Sequence, residues 1–199
     1  MKGTICIAGT GRSGTTFLMR LFTLMGLHTS YTKADILGNK VDIDRYCNSG
    51  LERYNYVKPP LVFKDPNFIQ NPKKYISWYA VKTLIIPIRD YHQSALSRSK
   101  YLNSHGGFIW GATNIDEQVE IYYKYIAETI RVAANAKINL VILDFDSMVS
   151  DPKYLFQKLS FLFKERYNNK KFFWWTSHKN IEYDFFLDKY NLATELSKQ

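Results

Sequence analysis

Cysteine is scarce, with only Cys6 and Cys47 among 199 residues. One thiol sits in an apolar run and the other in a polar stretch, so neither a disulfide framework nor a metal cluster is suggested, and both are expected to be free. Long apolar runs are missing as well. Met1-Lys2-Gly3 leads into Thr4 to Ala8 only, far too short for a signal segment or a membrane span, so a cytoplasmic chain with no membrane partner is expected. Acidic residues are in deficit: 18 Asp and Glu against 27 Lys and Arg give a formal charge of +9. That balance favours anionic ligands without choosing between nucleotide, glycan, nucleic acid and membrane. Internal repeats, low-complexity tracts and linkers are also missing. With 46% hydrophobic residues over this length, the expectation is one core and a single domain spanning residues 1–199.

What is present is an alternation. Apolar or β-branched runs recur at Ile5 to Ala8, Leu61 to Phe63, Thr83 to Ile88 and Leu140 to Leu143. Each is followed by polar or Gly/Pro punctuation and then a helical pattern. The pattern predicts helices over Gly14 to Met25, Tyr91 to Leu102, Ile115 to Ala136, Asp151 to Phe163 and Ile181 to Ser197, the fourth opening on Asp-Pro at its cap. Strands alternating with helices imply an α/β fold of three layers, with a central, mostly parallel sheet of four to five strands flanked by helices. Tyr31 to Pro60 and Asn103 to Asn114 do not fit the rhythm and are assigned to acceptor recognition, as long irregular segments in compact domains often serve binding.

The densest signal is Gly9-Thr10-Gly11-Arg12-Ser13-Gly14-Thr15-Thr16, between the first strand and the first helix. A glycine-rich turn there lets backbone N–H groups converge on an anion, and the helix N-terminus adds its positive end. The spacing satisfies the front half of a Walker A loop, but Thr15-Thr16 stands where that loop requires Lys-Ser/Thr. Arg12 supplies a cation two residues before Gly14 instead, suited to forked contacts with terminal oxygens of a different phosphate-bearing donor.

Gly-Arg-Ser-Gly-Thr-Thr resembles the 5′-phosphosulfate-binding loop of sulfotransferases, above all the tyrosylprotein and related bacterial enzymes, whose loop reads Pro-Arg-Ser-Gly-Thr-Thr. The chain departs from them at Gly11. The resemblance implies a P-loop-type sulfotransferase that uses 3′-phosphoadenosine 5′-phosphosulfate, with Gly11, Arg12, Ser13, Gly14, Thr15 and Thr16 around the phosphosulfate. Phe17 stands where cytosolic members carry a Trp that stacks on adenine, so it is expected either to stack likewise or to pack in the core.

Two further segments extend the likeness. Arg89 follows the third predicted strand, where α/β sheets bind ligands at the strands' carboxyl ends. Arg89 and Ser97 match the spacing of the family's 3′-phosphate pair, with Ser94 as the alternative hydroxyl. Lys64-Asp65-Pro66 ends the second strand and is also what the tyrosylprotein group carries, its lysine acting on the leaving group. Asp65 reads as an orienting or capping residue. Phe145 to Pro152 is similar to the family's Tyr-Glu-Asp-Leu-x-x-Asp-Pro stretch, with Asp146 for Glu. No Arg-Lys-Gly type adenine motif is found, and the last 36 residues of the 199 match no family segment.

The chemistry so implied is in-line transfer in which the protein mainly positions charge. Arg12 and Lys64 are the expected catalytic cations, and no metal is required. A general base would serve a hydroxyl or amine acceptor. Counting from Arg12 puts Lys33 where the tyrosylprotein group has its Glu, so Asp35 is the expected base, with His28, Asp42 and Asp44 in the same segment. His92, His105 and His178 are less favoured. The acceptor is expected to be a small molecule, glycan or peptide, with no specific nucleic acid. Two other classes remain: a P-loop kinase or nucleotide triphosphatase, which predicts magnesium-dependent ATP binding, and a non-catalytic module for polyanions, which predicts salt-sensitive binding without turnover.

Overall fold

A computed structural model describes residues 3–38, 50–52, 58–101, 107–164 and 179–198. In chain order its elements are β1 (Thr4–Ile7), α1 (Thr15–Leu24), α2 (Lys33–Leu37), β2 (Val62–Lys64), a 3₁₀ turn (Phe68–Gln70), α3 (Pro72–Trp78), β3 (Val81–Ile88), α4 (Tyr91–Ser99), α5 (Ile115–Asn135), β4 (Asn139–Asp144), α6 (Phe145–Ser150), α7 (Pro152–Lys158), α8 (Ser160–Lys164) and α9 (Lys179–Ser197). The fold is α/β, as expected. Its sheet has four strands in the order β2-β1-β3-β4, and every pairing is parallel.

The strands alternate between two cores. Ile5 and Ile7 face one cluster with Leu18, Phe22 and Leu143, while Cys6 and Ala8 face the other with Phe63, Leu84 and Ile126. Burial on both faces is why the strands read as nearly unbroken apolar runs. Pro87, inside β3, costs no ladder bond. The pairing of β1 with β3 stops at Ile7↔Ile85, so the donor that proline lacks falls beyond the end of β1.

After β1 the chain moves to β2 on one side, then crosses to β3 on the other. This switch point opens a crevice at the carboxyl ends of β1 and β3, where ligands of open α/β sheets bind. The loop from Ala8 to Gly14 lies there.

Several boundaries differ from the sequence reading. Five residues of the presumed irregular stretch 31–60 form α2, because Thr32 and Asp35 make a reciprocal capping box. The predicted helix from Asp151 to Phe163 divides at Leu159, which leaves the helical region (φ −97°, ψ 7°). Its start is as expected, with Asp151 accepting from the amides of Lys153 and Tyr154 ahead of Pro152. The helix expected over Ile181 to Ser197 is α9, starting two residues earlier, and its Phe186, Tyr190 and Ala193 complete the core against α1. Tyr190 Oη donates to the Met148 carbonyl at 3.2 Å, and Arg20 of α1 donates to the Leu196 carbonyl at 2.7 Å. Among the described residues no helix is long and apolar enough to cross a membrane.

Candidate active site

The loop after β1 turns on unusual backbone angles. Gly11, Arg12 and Gly14 have φ of +72°, +57° and +82°. Glycine adopts this region without a steric penalty, whereas Arg12 there costs about 1 kcal/mol. A proline, held near −65°, does not fit the backbone found at Gly11. A β-carbon at Gly11 would run into the Arg98 guanidinium, and one at Gly14 into Met148 and Phe145. Gly14 is the N-cap of α1 and offers no capping side chain. The first amides of this ten-residue helix therefore stand open toward the loop. Ser13 is fully buried within the turn, and its hydroxyl has no hydrogen-bond partner.

Gly11, Arg12, Thr15 and Thr16 line a cavity of about 150 Å³ together with Lys64 and three residues the sequence reading gave no role there, Gly50, Glu52 and Arg98. Lys64 ends β2, and pairing of Ile7 with Lys64 sets it beside the loop. The lysine is only 8% exposed and was expected to hold its ammonium toward a ligand oxygen. Instead Nζ donates to the Gly50 carbonyl at 2.5 Å, to Glu52 Oε2 at 3.1 Å and to Thr16 Oγ1 at 3.2 Å. Thr16 Oγ1 donates to the same Gly50 carbonyl at 3.2 Å. Glu52 is 7% exposed, so this is a buried ion pair inside the cavity.

Asp65 lines the same cavity and, as expected of an orienting residue, accepts from the Asn67 amide at 2.9 Å. Burial away from water pushes its carboxyl up from 3.8 to about 6, the nearby charge of Glu52 adding to that and the Asn67 amide opposing it. Arg89 follows β3 directly, and its Nη1 donates to the Arg12 carbonyl at 3.2 Å while the guanidinium lies 4.8 Å from the Phe145 ring centre. The Arg12 guanidinium rests 4.5 Å from the centre of the Tyr101 ring. Arg12 of the loop and the strand-end Arg89 thus meet at the crevice.

Other expected residues lie elsewhere. Phe17 packs in the core, 5% exposed and edge-on to Tyr190, so the core alternative holds and its ring does not line the cavity. Asp35, the expected base, is in α2. It is not a lining residue, and its carboxylate accepts from the Thr32 amide at 2.6 Å and hydroxyl at 2.8 Å in the α2 cap. Ser97 is partly exposed in the last turn of α4, whereas Ser94 is fully buried with an unpartnered hydroxyl. His28 is exposed and gives its carbonyl to the Val62 amide at 3.0 Å. Asp42, Asp44, Cys47, His105 and His178 lie outside the described residues. Among the described residues no group of three or more His, Cys, Asp or Glu side chains could hold a metal ion.

Glu52 carried no local signal, because it belongs to no periodic element and meets Lys64 only through the fold. Arg98, in α4, points inward with Ser94 and Ala95. No family model matches the chain, and no curated protein matches it.

Proposed function

We propose that this chain is a sulfotransferase moving a sulfuryl group from 3′-phosphoadenosine 5′-phosphosulfate to a hydroxyl or amine acceptor. The observation that carries the reading is the meeting, in one cavity, of an uncapped helix N-terminus behind Arg12 with the buried pair of Lys64 and Glu52. Arg12, Thr15, Thr16 and the loop amides would hold the phosphosulfate, and Arg89 beside Arg12 would take the 3′-phosphate with Ser97 or Ser94. About 150 Å³ suits the anionic end of a nucleotide. Whole drug-sized ligands occupy about 300 Å³ or more, so the nucleoside would lie outside the cavity.

In the reaction the acceptor oxygen or nitrogen attacks sulfur in line, and the bond from sulfur to the bridging oxygen breaks. Lys64 offsets the negative charge that the bridging oxygen gains. The acceptor's proton passes to a base, and Glu52 takes the place of Asp35 in that role, being the carboxylate that accompanies Lys64 in the cavity. The Gly50 carbonyl now occupies both Lys64 and Thr16, so donor binding would exchange that oxygen for its own.

Calorimetric titration with adenosine 3′,5′-bisphosphate beside ATP, each with and without magnesium, tests the donor class. The bisphosphate should bind without magnesium and outcompete ATP. A strict magnesium requirement with ATP preferred would move the chain to the triphosphatase class, and salt-sensitive polyanion binding with no nucleotide binding would make it a non-catalytic module.

A further inference from the structure

Arg98 is a buried cation, 9% exposed, and the only Lys, Arg, Asp or Glu within α4. Its fork reaches three separate parts of the chain. Nη2 donates to the Thr10 carbonyl at 3.1 Å, Nη1 to the Gly107 carbonyl at 3.0 Å, and Nε to Tyr122 Oη at 2.8 Å. These belong to the loop after β1, the stretch ahead of α5, and α5 itself.

The Thr10 contact bears on anion binding. In a trans peptide the C=O and the following N–H point in opposite directions. Holding the Thr10 carbonyl toward Arg98 therefore turns the Gly11 N–H away from Arg98, on the loop that lines the cavity. A reversed peptide would lose this contact and set the Gly11 N–H against a cation, so Arg98 admits one orientation only. Gly11 has no side chain to keep the guanidinium off, since a β-carbon there would occupy the place of Nη2. Burial lowers the pKa of Arg98, but a guanidinium keeps its charge in proteins. The loop thus carries a fixed positive charge behind its peptides.

We infer that Arg98 is a positioning residue for the phosphate loop, selecting the orientation of the Thr10–Gly11 peptide and supplying standing charge for whatever phosphate-bearing ligand the loop takes. This rests on the proposed reading of the loop as an anion cradle. It adds that the cradle's competence is set from α4, with the stretch at Gly107 tied to the same side chain. Arg98 acts through the loop and not through the 3′-phosphate, so its loss should weaken every phosphate-bearing probe alike.

The test measures affinity of the full chain for adenosine 3′,5′-bisphosphate, AMP and inorganic pyrophosphate, with thermal unfolding recorded in parallel. Arg98→Lys keeps the charge but not the fork. It should weaken all three probes at least tenfold while leaving the ratio of bisphosphate to AMP affinity unchanged. Guanidinium ion added at millimolar concentration should restore part of the binding lost in Arg98→Ala. Tyr122→Phe, which removes one acceptor and keeps the ring, should weaken the probes a few-fold and serves if the arginine variants do not fold. Folded Arg98→Lys or Tyr122→Phe protein with wild-type affinities overturns the inference, as does a loss confined to the bisphosphate. A wild-type chain that binds none of the three probes overturns the donor reading, and this inference with it.

Discussion

The two walls of the cavity are made differently. The loop proposed to hold phosphate is eight consecutive residues, Gly9 to Thr16, which run into the uncapped N-terminus of α1. The opposite wall joins Lys64 of β2 to Glu52 and Gly50, 12 and 14 residues away in sequence. A backbone-built cradle needs only glycines at the right places, so its chemistry travels with a short string of sequence. A side-chain pair needs two elements to be packed together, and no local pattern announces it. The first wall should therefore govern binding and the second chemistry.

Glu52→Gln breaks that comparison most sharply. Turnover of the phosphosulfate donor should fall by about 10³-fold, within the range for removing a general base, while donor affinity stays nearly unchanged. Normal turnover in this variant would assign the base elsewhere, and a matching loss of affinity would make Glu52 a binding residue.

Lys64→Ala should lower turnover by about 10²-fold, with donor affinity falling much less, because the bridging oxygen gains its charge only as the bond breaks. It should also destabilise the fold by about 3 kcal/mol, since Glu52 is left buried without this cation. Adding Glu52→Gln should return part of that stability in a denaturant titration. Arg12→Ala, on the opposite wall, should weaken donor binding and turnover together. Equal losses in binding and turnover for Lys64→Ala would erase the distinction between the walls.

Arg89→Ala sharpens the binding side. It should cut the preference for adenosine 3′,5′-bisphosphate over AMP by about tenfold, about 1.4 kcal/mol, within reach of one charge-assisted contact. An unchanged preference would place the 3′-phosphate away from β3.

An effect on stability alone, with binding and turnover untouched, concerns pH and belongs to the side-chain wall. Asp65 holds its proton up to about 6 in the folded chain against an ordinary 3.8, chiefly because burial disfavours the carboxylate. Between these values the folded state binds the proton more tightly than the unfolded state. The stability Asp65 contributes is thus full below the lower value and lost as pH rises through the upper one. The displacement corresponds to at most about 3 kcal/mol. Asp65→Asn, which keeps an acceptor for the Asn67 amide, should gain stability relative to wild type as pH is raised from about 4 to about 7. Parallel stability curves for the two proteins over that range would show that Asp65 is not held protonated.

Much of the architecture was legible because parallel strands buried on both faces and amphipathic helices write their periods into the chain. The turn after β1 was legible for a related reason, as φ near +70° to +80° at Gly11 and Gly14 calls for glycine. Asp35 was misplaced because a carboxylate in an irregular stretch shows no direction. Its three-residue spacing from Thr32 serves a cap and not a cavity. Phe17 left two readings open, and the packing of α9 on α1, edge-on through Tyr190, placed it in the core.

The sequence by itself determined the α/β alternation, the glycine-rich turn after β1 and the strand-end positions of Lys64 and Arg89, all of which depend on neighbours a few residues away. Only the tertiary structure decided that Lys64 faces Glu52, that Arg98 turns inward beneath Thr10, and that the C-terminal helix closes one core. Each of these depends on which elements the sheet order β2-β1-β3-β4 and its covering helices bring side by side. Burial then enforces the pairing, because a charge withdrawn from water must find its partner across the fold.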